Sequence, residues 1–281
     1  MIVKVNKLPD SAVELIITLE WEEIKKVYEE MLTDVVTNAE IKGFRKGKAP
    51  RDVVEKNLNR QSFFEEVLKK VVSDSYSNAI AQENIKPIIY PKVEVISAEE
   101  NKPWEFKATT SEFPEISLAN YKEELAKKNA GEKIWIPGKE EKPKEEDKNT
   151  RLNKNLEFII GNSQFGISEL LIEDEVNKLL SELLAEIKKL GLTLDQYLIS
   201  TGKNAEGLRV DYRDKALKTL QLEFLLSVLA EKEKITVSDE EIEKALEEIK
   251  DEKTKEVLTN SKYQLASLLR RQKTLDFIAG L

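Results

Sequence analysis

Apolar residues open the chain in strand-like runs and then switch to helical spacing. Residues 2 to 5 and 13 to 19 are rich in β-branched side chains and flank Leu8-Pro9-Asp10-Ser11, which predicts two strands joined by a short turn. From Trp21 onward the apolar positions are Ile24, Val27, Tyr28, Met31, Leu32, Val35 and Val36, spaced as one face of a helix. That helix is expected to stop at Gly43. Pro50 suits the first turn of a short helix carrying Val53, Val54 and Leu58. A longer helix follows through Phe63, Phe64, Val67, Leu68, Val71 and Val72 to about Ile85. Strand-like runs over 88 to 96 and 104 to 113 then precede Pro114. Residues 1 to 116 therefore read as an α+β domain.

The apolar content collapses between Lys122 and Thr150, and residues 139 to 148 are all charged except Pro143. Such a stretch cannot bury enough surface to offset ordering entropy, so 117 to 150 is expected to be a solvated linker. Trp135, between Ile134 and Ile136, is its one aromatic after Tyr121, and local packing is expected of it. Helical periodicity then dominates from 151 to 281. Val176, Leu179, Leu180, Leu183, Leu184, Ile187 and Leu190 form a broad stripe ending at Gly191, a fitting residue just past a helix end. Thr193 with Gln196, and Ser238 with Glu241, match the capping box of a helix start. Leu217, Leu220, Leu222, Phe224, Leu225, Leu226, Val228 and Leu229 are apolar on more than one face, so their helix is either the centre of a bundle or the lining of a groove. A last helix is expected through Leu265, Leu268, Leu269, Leu275, Phe277 and Ile278.

Composition sharpens this picture by exclusion. The chain of 281 residues has no Cys and no His, which removes disulfides, thiol nucleophiles, Cys/His zinc sites and His-based catalytic pairs. Its 53 acidic residues leave carboxylate chemistry formally open, yet no motif clusters them, so neither a catalytic nor a metal site is expected, and no cofactor. With 35% charged and 40% hydrophobic residues, surface is abundant relative to core, which favours an elongated, helix-rich molecule. The net charge of −8 argues against global binding to nucleic acid. A start without a basic segment leading into a long apolar run, and the lack of any 18-residue apolar stretch, predict a soluble cytoplasmic protein with no membrane partner.

Against that acidic background, residues 42 to 60 stand out. Lys42, Arg45, Lys46, Lys48, Arg51, Lys56 and Arg60 face only Asp52 and Glu55, a local balance of +5. Gly43 and Gly47 bracket Phe44-Arg45-Lys46 and can adopt backbone conformations closed to other residues. The loop is thus able to project an aromatic ring with two cations beside it, a combination suited to a mixed protein and RNA surface. It reads equally as an ordinary turn between helices with solvated cations. A nucleotide-binding loop fails on three counts: three residues between the glycines where four are needed, Ala49 in place of the magnesium-binding hydroxyl, and a helix upstream where a strand belongs.

The run Gly43-Phe44-Arg45-Lys46-Gly47-Lys48-Ala49-Pro50, set after a hairpin and a helix, resembles the ribosome-docking signature of the bacterial trigger factor family. Phe113-Pro114-Glu115-Ile116 resembles that family's exit from its N-terminal domain. Leu170-Leu171-Ile172-Glu173-Asp174-Glu175-Val176 and Leu194-Asp195-Gln196-Tyr197-Leu198 resemble its helical C-terminal domain. The resemblance implies an α+β ribosome-docking domain followed by an elongated all-α domain. Phe44, Arg45 and Lys46 would contact protein and RNA of the large subunit beside the exit tunnel, with Lys48 adding charge and Gly43, Gly47 and Pro50 shaping the loop. The helical domain would shield unfolded nascent chains without ATP. It admits a homodimer off the ribosome. Phe165, Leu180, Leu184, Phe224 and Leu225 are candidates for client contact and equally for helical core. Where most family members insert a prolyl isomerase domain of the FK506-binding type, this chain has only residues 122 to 150, too few for an independent core, so isomerase activity is expected to be absent. Two further readings of the same residues remain: a helical adaptor joining two proteins, and an RNA-binding protein acting through 42 to 60.

Overall fold

The computed structural model describes residues 1–132, 148–248, 259 and 261–281. It divides into two compact units, Met1–Phe113 and Pro114–Leu281.

The first unit is a four-stranded antiparallel sheet covered by helices on one face. Strands β1 (Ile2–Lys7), β2 (Ala12–Leu19), β3 (Lys92–Ser97) and β4 (Trp104–Ser111) lie in the order β1-β2-β4-β3. Because side chains alternate along a strand, β2 and β4 turn Val13, Leu15, Ile17, Trp104, Phe106 and Ala108 to one face, where all are buried. Helices α1 (Trp21–Asn38) and α3 (Arg60–Gln82) supply Ile24, Leu32, Phe63, Val67 and Val71 to the same core. Trp104 sits at its centre, its indole N–H donating to the Glu99 carbonyl at 3.0 Å and its ring meeting Phe64 edge-on at 5.2 Å. The opposite face carries charge, with Lys107 paired to Glu94 at 2.8 Å across neighbouring strands. The short helix α2 (Arg51–Asn57) lies between α1 and α3 in sequence.

Helix α1 ends at Asn38, five residues before the expected stop at Gly43. Ala39 already has extended backbone angles, and the Thr37 hydroxyl and Asn38 amide donate back to the carbonyls of Thr33 and Asp34, local bonds that satisfy a helix end early. The freed residues build the loop described below. Strand β3 likewise starts at Lys92 rather than 88, since Pro91 has no N–H to give a ladder.

The second unit contains α4 (Tyr121–Glu132), α5 (Lys148–Gly161), α6 (Glu169–Lys189), α7 (Leu194–Thr201), α8 (Ala205–Lys232), α9 (Asp239–Glu248) and α10 (Lys262–Gly280). The two-residue strands β5 (Ile116–Ser117) and β6 (Gln164–Phe165) pair antiparallel. Helices α4, α5, α8 and α10 share a core of Tyr121, Leu125, Leu156, Ile159, Leu225, Leu229 and Ile278. Buried Asn155 locks α5 to the end of α10 by donating to the Ile278 carbonyl at 3.0 Å. Two smaller cores lie apart from it. Leu183, Ile187 and Leu208 join α6, α7 and the start of α8. Ile242, Leu246 and Leu265 join α9 to the start of α10.

The stretch expected to be a solvated linker begins with helix α4, and Lys148–Gly161 is helical too. The reason is two well-placed side chains: Tyr121 and Leu125, one helical turn apart, are 3% and 0% exposed in the main core. Trp135 and most of the charged run lie outside the described residues. Both capping boxes form, with Gln196 and Glu241 side chains accepting from the N–H groups of Thr193 and Ser238 at 2.9 Å. Gly191, at φ +72, closes α6 while Leu192 N–H reaches back to the Ile187 carbonyl, as its place after the stripe predicts.

A polar clasp fastens α4 to the end of α8. The Tyr121 hydroxyl donates to Glu233, which also takes Lys122 Nζ at 2.6 Å. Burial, reinforced by Glu233, pushes the Tyr121 phenol well above its usual value near 10, and Lys122 with Tyr121 holds the Glu233 carboxyl below 4.5. The raised phenol stabilises the fold below about pH 10 and loses that contribution as pH climbs beyond it. The lowered carboxyl contributes above its unfolded value and fails as pH falls through the folded one. Tyr121→Phe is therefore expected to cost about 1–2 kcal/mol at neutral pH and to flatten the alkaline decline in stability. Glu233→Gln should flatten the acid one, both read by urea unfolding followed by circular dichroism.

Candidate functional site

Residues 39 to 50 join α1 to α2 through two tandem turns of the same design. In Ile41-Lys42-Gly43-Phe44 the Phe44 N–H donates to the Ile41 carbonyl, and in Arg45-Lys46-Gly47-Lys48 the Lys48 N–H donates to that of Arg45, both at 2.9 Å. Each turn has glycine at its third position with positive φ, +95 at Gly43 and +68 at Gly47, where a side-chain-bearing residue is strained. The two glycines differ in surroundings. A Cβ on Gly43 would meet nothing within 4 Å, whereas one on Gly47 would lie 2.3 Å from the Thr37 carbonyl oxygen. Gly47 is seated on the end of α1, and its N–H donates to the Ala39 carbonyl at 3.0 Å.

This seat throws the rest of the loop outward. Phe44 is 44% exposed, and Lys42, Arg45, Lys46, Lys48 and Pro50 are exposed with it. Ala49 is buried at the base. Pro50 stands just ahead of α2, its carbonyl accepting the N–H groups of Val53 and Val54 at 3.0 and 3.2 Å. Among the described residues Lys42, Arg45 and Lys48 have no ion-pair partner, while Lys46 meets Glu40 at 3.2 Å with both side chains exposed. Arg51 is engaged internally, at 2.8 Å from Glu29 and 2.6 Å from Glu55, and its hydrogen bond holds the Glu29 carboxyl below its usual range. The loop thus offers an apolar ring and uncommitted cations on one small projection.

The five apolar candidates of the helical unit separate. Leu225 is fully buried and Phe224 is 7% exposed: the helix that is apolar on several sides packs its later half into the main core, shared with α4, α5 and α10. Phe165 is half-buried on β6 against the main core, and Leu180 packs into the small core of α6, α7 and α8. Leu184 alone of the five is exposed. It has company that was not among the candidates: Leu190 (74% exposed) and Leu192 at the end of α6, Leu194, Ile199 (81%) and Val210 on α7 and α8, and Tyr263 and Leu268 on α10. A signal was present in Leu190-Gly191-Leu192-Thr193-Leu194, where three leucines occupy a helix stop and the next helix start, positions that usually face solvent. Helix α7 has no buried residue at all.

Backbone strain alone at Gly43→Ala is expected to cost about 1–2 kcal/mol. Gly47→Ala should cost more, because the Thr37 carbonyl has to move as well. Urea unfolding of the two variants, side by side with the parent chain, measures the difference.

Comparison with known proteins places these features. A family model described as "Bacterial trigger factor protein (TF)" matches residues 1–134, and one for the C-terminus of the same protein matches 138–280. The chain is similar to trigger factor of Carboxydothermus hydrogenoformans, at 24% identity over 98% of each chain. That alignment runs over 419 positions although this chain has 281 residues, so the difference is made up by positions of the relative with no counterpart here. Trigger factors of Clostridium kluyveri and Desulforudis audaxviator match at 33% and 36% over 46% and 42% of this chain, spanning 30% and 27% of their own length. A solved structure described as "Promiscuous Substrate Recognition in Folding and Assembly Activities of the Trigger Factor Chaperone" aligns with 100% of this chain and 99% of its own. Its TM-score is 0.64 at 16% identity, a likeness of fold. With the two family matches together running over nearly the whole sequence, the chain belongs to the bacterial trigger factor family, in a short form that lacks the length for the isomerase domain.

Proposed function

We propose that this protein is an ATP-independent, ribosome-associated chaperone of the cytoplasm that shields nascent chains and has no prolyl isomerase activity. The observation that carries the reading is the tandem-turn loop. It holds Phe44 in water, where an aromatic ring is unfavourable, and sets beside it Arg45 and Lys48, which have no ion-pair partner among the described residues, and Lys46, whose one pair with Glu40 is solvent-exposed. An apolar crevice on a ribosomal protein would take the ring, and RNA phosphates or acidic side chains would take Arg45, Lys46 and Lys48. Family membership supports the large subunit beside the tunnel exit as the surface that offers both.

Client binding falls to the exposed apolar residues rather than to the core. Leu184, Leu190, Leu192, Leu194, Ile199 and Val210 lie around one small helical core, and Tyr263 and Leu268 lie on α10. Each side chain a client covers contributes about 1.5–3 kcal/mol, so a few contacts hold a segment and none commits it. A client that buries its own apolar residues leaves without a nucleotide being hydrolysed. The absence of isomerase activity is supported by the junction of the two family matches, between which only residues 135 to 137 fall.

The docking reading is tested by co-sedimentation with ribosomes. The triple change Phe44→Ala, Arg45→Ala, Lys46→Ala should abolish binding that the parent chain shows at moderate salt; equal sedimentation would sink the reading. For the client surface, the pair Leu190→Ser and Ile199→Ser is expected to slow aggregation of an unfolded protein at least about threefold less well than the parent, with unchanged circular dichroism. The parent chain should leave a prolyl peptide isomerising at its uncatalysed rate, and any acceleration would overturn that part of the proposal.

A further inference from the structure

Arg51 belongs to the basic run 42 to 60 by sequence, but its surroundings set it apart. It is the first residue of α2, and its guanidinium bridges Glu29 of α1 at 2.8 Å and Glu55 of α2 at 2.6 Å. Glu29 also borders an open depression with Glu30, Thr33 and Asp34, and that acidic wall disfavours a phosphate at this place. The helices before and after the docking loop are therefore tied to each other. A second tie, Gly47 N–H to the Ala39 carbonyl, closes the loop one level higher. Near these ties in sequence Ala49 and Val54 are buried, while Phe44 and Arg45 are exposed.

Resting on the proposed ribosome docking, we infer that the Glu29–Arg51 bridge is a positioning device. It fixes the angle at which the loop presents Phe44 and Arg45 and makes no contact with the ribosome itself. Two anchors on adjacent helices remove freedom that the loop would otherwise lose on binding, which is how a preorganised loop gains affinity. The cations thereby divide by role. Lys42, Arg45 and Lys48 face outward, and Arg51 holds the base.

Charge makes the inference testable, because positioning and direct contact predict opposite effects at Glu29. Glu29→Gln removes a negative charge beside an RNA-seeking loop, and by charge alone it should strengthen binding. As a lost anchor it should weaken it. The full chain and its variants Glu29→Gln and Arg51→Met are titrated onto purified ribosomes over a series of salt concentrations, with the Phe44, Arg45, Lys46 triple-alanine variant alongside. Positioning predicts that both single changes weaken binding by about threefold, the scale of an exposed ion pair, with the slope of log affinity against log salt unchanged. Amide exchange across 43 to 48 should quicken in both. If Arg51→Met instead lowers the slope by roughly 0.7–0.9, the loss of one phosphate contact, while Glu29→Gln binds as well as or better than the parent, the inference is overturned. It is equally overturned if the triple variant loses binding and neither single change alters affinity. Should the triple variant bind like the parent, the ribosome reading itself fails, and faster amide exchange in the two single variants would still separate that failure from the absence of the anchor.

Discussion

Helix α8 sets the plan of the second unit. Over 28 residues its character changes, since Leu220, Phe224, Leu225, Leu226 and Leu229 make the later half apolar on several sides while the earlier half keeps little more than Leu208 and Ala216 buried. A helix segment apolar all round has to be surrounded, and α4, α5 and α10 do so. A segment with one narrow stripe can be covered from one side only, by α6 and α7. Around the start of α8 the core is small, with Leu183, Ile187 and Leu208 as its buried side chains. Leucines and isoleucines supplied beyond what so small a core can cover remain in water. The exposed apolar surface of α6, α7 and α8 is thus a geometric consequence of where α8 stops being surrounded.

The first unit follows the opposite logic. Its core is continuous, with Trp104, Phe106, Leu15 and Ile17 all at or below 1% exposure, and the projection at its edge is built from backbone rather than from packing. Two turns with positive φ at Gly43 and Gly47 give the loop its course through backbone hydrogen bonds, which leaves Phe44, Arg45 and Lys48 exposed for other surfaces.

How much of this was legible in the sequence depends on whether the signal was local. Capping boxes at Thr193 and Ser238, the stop at Gly191 and the strands around 2 to 19 depend on neighbours within a few residues, and they formed as the pattern indicates. The α+β and helical character of the two halves was legible for the same reason. Tyr121 and Leu125 were not, because two buried side chains in a stretch averaged as charged are outvoted by Lys and Glu on the other faces of the helix. The strand pair β5 and β6 joins residues nearly fifty apart in sequence and only two long on each side, too short for any alternation. At the candidate site, the two glycines and the basic run could be read directly. Which cations were already committed could not, since the Arg51 partner Glu29 lies 22 residues upstream on another helix.

Phe224 and Leu225 show the same limit from the other side. Hydrophobicity identifies residues that need covering, and whether the cover is the protein's own helix or a client's chain depends on tertiary neighbours. The structure assigns these two to the protein's own core and leaves Ile199 and Leu190 without cover. On the proposed chaperone reading this distinction is the mechanism itself. A client segment competes with water for Ile199 and Leu190, not with the fold for Phe224 and Leu225, so binding requires no part of the bundle to open. Capture and release can then be as fast as the client's own folding, and no energy source is needed to reset the protein between clients.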